Sequence, residues 1–303
     1  MRSHSSIEIR RCRPLLGTFV EIAASGTNVA DLERGIAAAF ASVEKVHRLM
    51  SYHDARSDVS RMNREAFPKS VIVHPWTWQV LEAAQQFARE SDGVFDIAIA
   101  RLLARRGYLP RREYPLDNAA TWREIFLRKN CRVFFRRPMI IDLGGIAKGF
   151  AVDRAVEALK DNGVGAGIVN AGGDLRTFGH ASQLIHVRHP AEPTRIAGAV
   201  RLRERAMATS GIYFERRKHR RHYVGPLLDG RTGRYERELI SVSVTAAECI
   251  VADALTKIVF SLREKAAGLL AQYHADALLL ERDGAPSWMF RSSCDTRDRT
   301  RFD

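Results

Sequence analysis

Cysteine is scarce and scattered. Cys12, Cys131, Cys249 and Cys294 share no C-x-x-C spacing. That excludes a disulfide framework and a structural zinc site built on paired thiolates. Long apolar runs are missing too. No stretch approaches the roughly eighteen apolar residues that a membrane-spanning helix needs. The opening segment, MRSHSSIEIRRCRPLLGTF, is charged where a secretory leader carries an unbroken apolar core. Cys12 follows Arg10 and Arg11, which is not the small, apolar setting of a lipid-bearing cysteine. The location expected from these absences is cytoplasmic. Acidic residues are outnumbered, 35 against 48 Lys and Arg, so the net charge is +13. Basic runs stand at residues 101–112 and 216–222, and neither alternates with aromatics as a single-strand-binding platform does. The charge therefore reads as a solubility surface, and no nucleic-acid partner is expected. No internal repeat and no low-complexity linker is present.

The remaining composition is that of a globular protein, with 46% hydrophobic and 27% charged residues in 303. The length suits a large single domain or two modest lobes. The expected organisation is a flexible N-terminus over 1–11, one domain over 12–290 and a polar tail over 291–303. Leu32, Ile36, Phe40, Val43 and Val46 recur at helical spacing and predict a helix over 31–50, with Asp31 as its cap. Val80, Ala84 and Phe87 predict another over 76–91, ended by Asp92-Gly93. Further helices are predicted at 147–160 and 246–262. Strands are predicted at 71–74, 132–136, 139–143, 165–170, 185–188, 197–202 and 275–281. ERRKHRRH, over 215–222, reads as a solvated hairpin tip. Mixed strands, long helices and several hairpins define an α+β fold.

Residues 140–153, IIDLGGIAKGFAVD, carry the first chemical signal. A strand ends in a double glycine and turns into a helix. The glycines allow close backbone approach, and a helix start offers free N–H groups and a positive dipole end to a phosphate. Lys148 sits in the first helical turn, where the dipole disfavours a cation, so it makes more sense facing an anion. The spacing matches neither a Walker A loop nor a Rossmann fingerprint. An ordinary tight strand-to-helix turn explains the glycines equally well. NAGGD at 170–174 is a second glycine-rich strand end, and ATSGIY at 208–213 places hydroxyls beside a glycine. On the last long helix, Val251, Leu255, Ile258 and Leu262 form the expected core face. Asp253, Thr256 and Lys257 fall opposite, with Cys249 and Phe260. That second face either walls a pocket or holds a plain Asp253–Lys257 ion pair.

In order, LGTF (16–19), LMSYHDARSDVSRMN (49–63), SDGVFD (91–96), DLGGIAKG, NAGGD, TSGIY, DGRTG (229–233) and VADALTK resemble the ApbE-type family, the FAD:protein FMN transferases. The resemblance implies an α+β fold of two closely joined lobes, built of mixed and antiparallel sheet with packed helices, and FAD in the cleft between them. Leu16, Tyr52, Val94, Phe95, Asp96, Asp142, Lys148 and Thr256 are the FAD-binding residues it implies. It also implies a divalent metal, Mg²⁺, on the FAD pyrophosphate, with the Gly145 carbonyl and Asp253 as ligands. Asp253 is the candidate catalytic residue. The implied activity moves FMN from FAD to a Thr or Ser of an acceptor protein and releases AMP. A non-catalytic FAD carrier and an FAD hydrolase are the alternatives.

The sequence departs from the family at three places. Lys257 stands where a metal-binding Thr is usual, with Thr256 one position early. Pro226 stands where a His is common, and Gly230 where the D-P-x-T-G motif has its proline. Asp96-Ile97-Ala98 stands for Asp-Pro-Thr. A charged ammonium has donors and no lone pair, so Lys257 cannot be a metal ligand. The expectation is weakened metal binding, with Lys257 and Lys148 holding FAD directly.

Overall fold

The computed structural model describes residues 6–289, apart from 112, 113, 115, 118, 190, 191, 193, 212–216, 220, 221, 235–238 and 282–285. Ile212 and Tyr213 of the TSGIY motif, residues 215, 216, 220 and 221 of the basic run, Cys294 and the 291–303 tail lie outside the described residues, while Arg217–His219 and His222–Val224 pair antiparallel as the expected hairpin.

The chain opens with β1 (Ile7–Leu15) and β2 (Thr18–Gly26), paired antiparallel over their full length. Residues 7–11, expected in a flexible N-terminus, are therefore the start of a strand. The polar sequence hid it: Arg10, Arg11 and Arg13 lie on the surface and pair with Glu21, Glu33 and Glu44. Leu16 and Gly17 form the two-residue turn at φ +56° and +72°. Positive φ at both positions is what a type I′ hairpin demands.

Then come α1 (Val29–Met50), α2 (Asp58–Glu65), β3 (Val71–Ile72) and α3 (Pro75–Glu90). Asn28, not Asp31, caps α1, accepting from the Ala30 N–H at 2.9 Å. Asp31 lies inside the first turn and bonds Arg34 instead. After α4 (Ala100–Arg105), β4 (Ile125–Arg128) and β5 (Arg132–Phe135) complete a small sheet ordered β3-β5-β4. The rest comprises α5 (Ala147–Asp161), β6 (Ala166–Ala171), β7 (Asp174–Phe178) and the hairpin of β8 (Gln183–Arg188) and β9 (Ile196–Leu202). It continues with β10 (Ala206–Gly211), the short pair β11 (Arg217–His219) and β12 (His222–Val224), and β13 (Leu239–Ala246). Last come α6 (Cys249–Leu262), α7 (Ala267–Gln272), β14 (Asp276–Glu281) and β15 (Ser287–Met289).

Among the described residues, eight strands make the main sheet, ordered β1-β2-β6-β7-β10-β13-β14-β15, antiparallel throughout. The fold is α+β, with antiparallel sheets and packed helices. Side chains alternate across each strand, so one sheet buries two different cores. Val20, Ile22 and Val169 face α1 and α5, while Leu175, Met207, Leu278 and Leu280 share the other core with Val187 of β8 and Leu202 of β9. None of the described helices is long and apolar enough to cross a membrane.

Residues 139–143, predicted as a strand, are buried apart from half-buried Asp142 but pair with no described strand. The Asn63 amide takes both backbone groups of Ile141, accepting from its N–H at 2.8 Å and donating to its carbonyl at 3.0 Å. The Asp142 N–H donates to the Ile97 carbonyl at 2.9 Å. Burial made these residues apolar, and a side-chain amide replaced the ladder.

Helices α5 and α6 cross at close range. A Cβ on Gly149 would stand 2.3 Å from the Cys249 carbonyl oxygen. The start of α6, predicted at 246, is Cys249, because Ala246 still belongs to β13. Glu248 makes no side-chain cap bond there. Asp153 of α5 does so instead, accepting from the N–H groups of Cys249 and Ile250 at 2.9 and 2.8 Å. One carboxylate thus caps another helix. The expected faces of α6 are corrected as well. Leu255 and Ile258 are buried, Val251 and Leu262 are only partly so, and Cys249, Asp253, Thr256 and Phe260 of the opposite face are fully buried. The helix is covered on both sides.

Candidate functional site

A cavity of about 450 Å³ opens where the α5 start, the ends of the main sheet and residues 94–109 meet. That volume is in the range of small-molecule sites. Val94, Phe95 and Asp96 form one wall, Asp142, Gly144, Gly145 and Lys148 another. Gly172, the 209–211 end of β10, residues 226–228 and Lys257 close it.

The walls are tied together locally. Ser91 donates to the Phe87 carbonyl and accepts from the Phe95 N–H at 3.1 Å, folding SDGVFD into a tight turn after α3. The Gly230 N–H of DGRTG donates to the Val94 carbonyl at 2.9 Å. A Cβ at 230 would lie 2.4 Å from the Gly93 carbonyl oxygen. A proline there would lose the bond and clash, which accounts for the glycine in this motif. NAGGD meets LGTF directly: a Cβ on Gly172 would stand 2.4 Å from the Thr18 hydroxyl oxygen.

Four charged groups alternate at the base of the cavity. Lys148 pairs with Asp174, and Lys257 pairs with Asp253. The second Asp253 oxygen accepts from the Gly149 N–H of α5 at 3.0 Å. The other oxygen of Asp174 accepts from the Thr209 N–H at 3.3 Å. Burial opposes the charge on Lys148, but Asp174 and Asp253 outweigh it and hold its pKa above the ordinary lysine value. The expected anion facing Lys148 is thus a carboxylate of the chain itself, although the lysine also lines the cavity. The free N–H groups expected at the helix start are largely taken. Those of Ile146 and Ala147 donate to the Leu143 carbonyl, and that of Gly149 to Asp253. Charge for a ligand anion comes from lysines here, more than from the helix start.

Asp96 is held back from ionising. Its oxygens accept from the N–H groups of Ala98 at 2.8 Å and Trp122 at 3.2 Å. Burial outweighs both and lifts its pKa from 3.8 to about 6. A raised carboxyl pKa means that the fold prefers the neutral form. Stability from this group is full below the unfolded value and is lost as pH rises through about 6. The loss is at most about 3 kcal/mol. Urea unfolding from pH 4 to pH 8 should show this decline in the wild type and a flatter profile in Asp96→Asn. Parallel profiles would refute it. Asp142, also on the wall, is raised in the same direction by burial, with the Gly144 N–H opposing.

The structure does not bring every expected residue to the cavity. Leu16 packs against the two larger core clusters, and Tyr52 is buried in the core with its hydroxyl 3.5 Å from the Pro110 carbonyl. Thr256 and Asp253 lie behind the wall, both 0% exposed. Thr256 donates to the Asp253 carbonyl at 2.7 Å and shares a 2.8 Å bond with Ser210. Pro226, a departure from the resembled pattern, does line the cavity. Sequence reasoning missed Asp174, whose only signal was a carboxylate closing a glycine turn. It also missed Leu103, Tyr108 and Leu109, cavity-lining residues hidden inside a basic run.

Residues for the implied metal fit poorly. Both Asp253 oxygens are engaged, by Gly149 N–H and Lys257, and the Thr256 hydroxyl is taken by the Asp253 carbonyl and Ser210. Among the described residues, no three His, Cys, Asp or Glu side chains cluster to hold a cation.

Fold and site together define an antiparallel α+β protein with a lysine-lined cleft at a glycine-rich turn into a helix. The chain belongs to the ApbE family, whose model matches residues 16–279. An FAD:protein FMN transferase of Klebsiella pneumoniae (strain 342) is 29% identical, with 77% of each chain covered. One from Treponema pallidum (strain Nichols) is 27% identical, covering 97% of this chain and 89% of its own. The ApbE protein of Thermotoga maritima superposes with a TM-score of 0.81 at 29% identity, covering 93% of this chain and 96% of that one. Flavinyl transferase ApbE of Pseudomonas stutzeri shares the fold, with a TM-score of 0.79 at 22% identity and 95% of each chain covered.

Proposed function

We propose that this protein transfers the FMN part of FAD to a Thr or Ser hydroxyl of an acceptor protein. One observation carries the reading. Segments 94–96, 142–148, 172, 209–211 and 257, far apart in sequence, converge on one cavity in a chain of the ApbE family. In the reaction, the acceptor oxygen forms a bond to the FMN-side phosphorus, the bond from that phosphorus to the bridging oxygen breaks, and AMP leaves. The hydroxyl proton is released. Phosphoryl transfer needs positioning and charge stabilisation more than covalent help. Lys148 and Lys257 place two positive charges beside the cleft for this purpose. Val94 and Phe95 offer apolar contact for a flavin ring, and Asp96 offers a polar contact beside them.

The test is incubation with FAD and an acceptor bearing a threonine that known members of this family modify. Intact mass should show one FMN added per acceptor, with one AMP released. An unmodified acceptor, beside a parallel reaction in which a known transferase succeeds, would sink the proposal.

A further inference from the structure

Lys257 bonds the residue, Asp253, that the family resemblance gives to a divalent cation. Its Nζ contacts an Asp253 carboxylate oxygen and lies 3.0 Å from the Asp253 carbonyl. Its Cε lies 3.7 Å from where a Cβ on Gly145 would stand, so the side chain runs alongside the glycine turn. The other Asp253 oxygen belongs to the Gly149 N–H, and the Thr256 hydroxyl belongs to the Asp253 carbonyl and Ser210. A cation would need several free oxygens converging on one point. It would meet an ammonium there instead, and like charges repel.

We propose that the Lys257 ammonium is a built-in replacement for a divalent metal, and that this chain binds the pyrophosphate of its flavin dinucleotide without one. The inference rests on the FAD reading above. Lys257 is suited to the task. An ammonium has three N–H donors, and the Asp253 carboxylate and carbonyl account for two contacts. The side chain is 18% exposed and lines the cavity, leaving a donor for a phosphate oxygen. Asp253, 0% exposed, acts as a positioning residue that holds the ammonium on this wall. An ion pair with only a structural role would also join Asp253 to Lys257, but it would not make FAD binding indifferent to metal.

FAD binding to the full chain is titrated by flavin fluorescence, once with excess EDTA and once with Mg²⁺. Mn²⁺ is titrated separately into the protein–FAD mixture and followed by its free-ion electron paramagnetic resonance signal. Wild type should bind FAD with dissociation constants within about twofold of each other in the two buffers. Its free Mn²⁺ signal should persist. Lys257→Thr should bind FAD about tenfold or more weakly in EDTA and recover with Mg²⁺. Lys257→Arg should keep metal-free binding. Wild-type binding that tightens about tenfold with Mg²⁺, or a lost Mn²⁺ signal, would overturn the inference while leaving the FAD reading intact. No FAD binding in either buffer would overturn both. The wild-type measurements decide the matter even if a variant fails to fold.

Discussion

Asp153→Ala is expected to lower the unfolding free energy by about 3–5 kcal/mol, the usual cost of breaking a buried charged pair by removing one partner. Asp153 is buried and binds three groups at once. It accepts from the N–H groups of Cys249 and Ile250, and from Arg176 at 2.7 Å. The alanine variant leaves the α6 start uncapped and the Arg176 guanidinium, itself mostly buried, without its carboxylate. Asp153→Asn keeps one acceptor oxygen and much of the shape, so its cost should be about 1–3 kcal/mol. Denaturant midpoints at unchanged slope are the measurement. The consequence reaches the site, because α6 carries Asp253 and Lys257. FAD affinity of the asparagine variant should fall even where the protein remains folded. Losses under about 0.5 kcal/mol for both variants would mean that the bonds contribute little, as for an ordinary surface change.

The contrast between Asp153 and the readable parts of the chain has a physical cause. Helices α1 and α3 were legible because each buries one stripe at helical spacing, and a stripe is a local property of sequence. The glycine turns at 144–145 and 172–173 were legible because they need special backbone or close approach. Bonds between distant segments left no such trace. Met139–Leu143 has the apolar content of a strand, yet its hydrogen bonds go to Asn63 and Ile97. The α6 wheel ranked faces by polarity, whereas Asp253 and Thr256 are buried by partners on α5 and β10. The cavity followed the same rule. Its motif residues could be picked out by resemblance, but the Lys148–Asp174 pair could not, because it depends on β6 and β7 turning Asp174 back under α5.

That pair separates structural from functional charge. Lys148→Met should destabilise by about 3–5 kcal/mol, since it strands the Asp174 carboxylate, 0% exposed, without its ion-pair partner. On the proposed function it should also slow FMN transfer by about 10²–10³, the range found when one preorganised charge-stabilising donor is removed. Asp174→Asn added to Lys148→Met removes the stranded charge. The double variant should recover most of the stability, because a neutral amide costs far less to bury than an unpaired carboxylate. It should recover none of the transfer, because the ammonium facing the cleft is still missing. Denaturant melts and a time course of acceptor mass read the two quantities independently. If transfer returned together with stability, Lys148 would be serving only to neutralise Asp174. If stability returned and transfer did not, the lysine would be acting on the flavin phosphates, with Asp174 holding it in place.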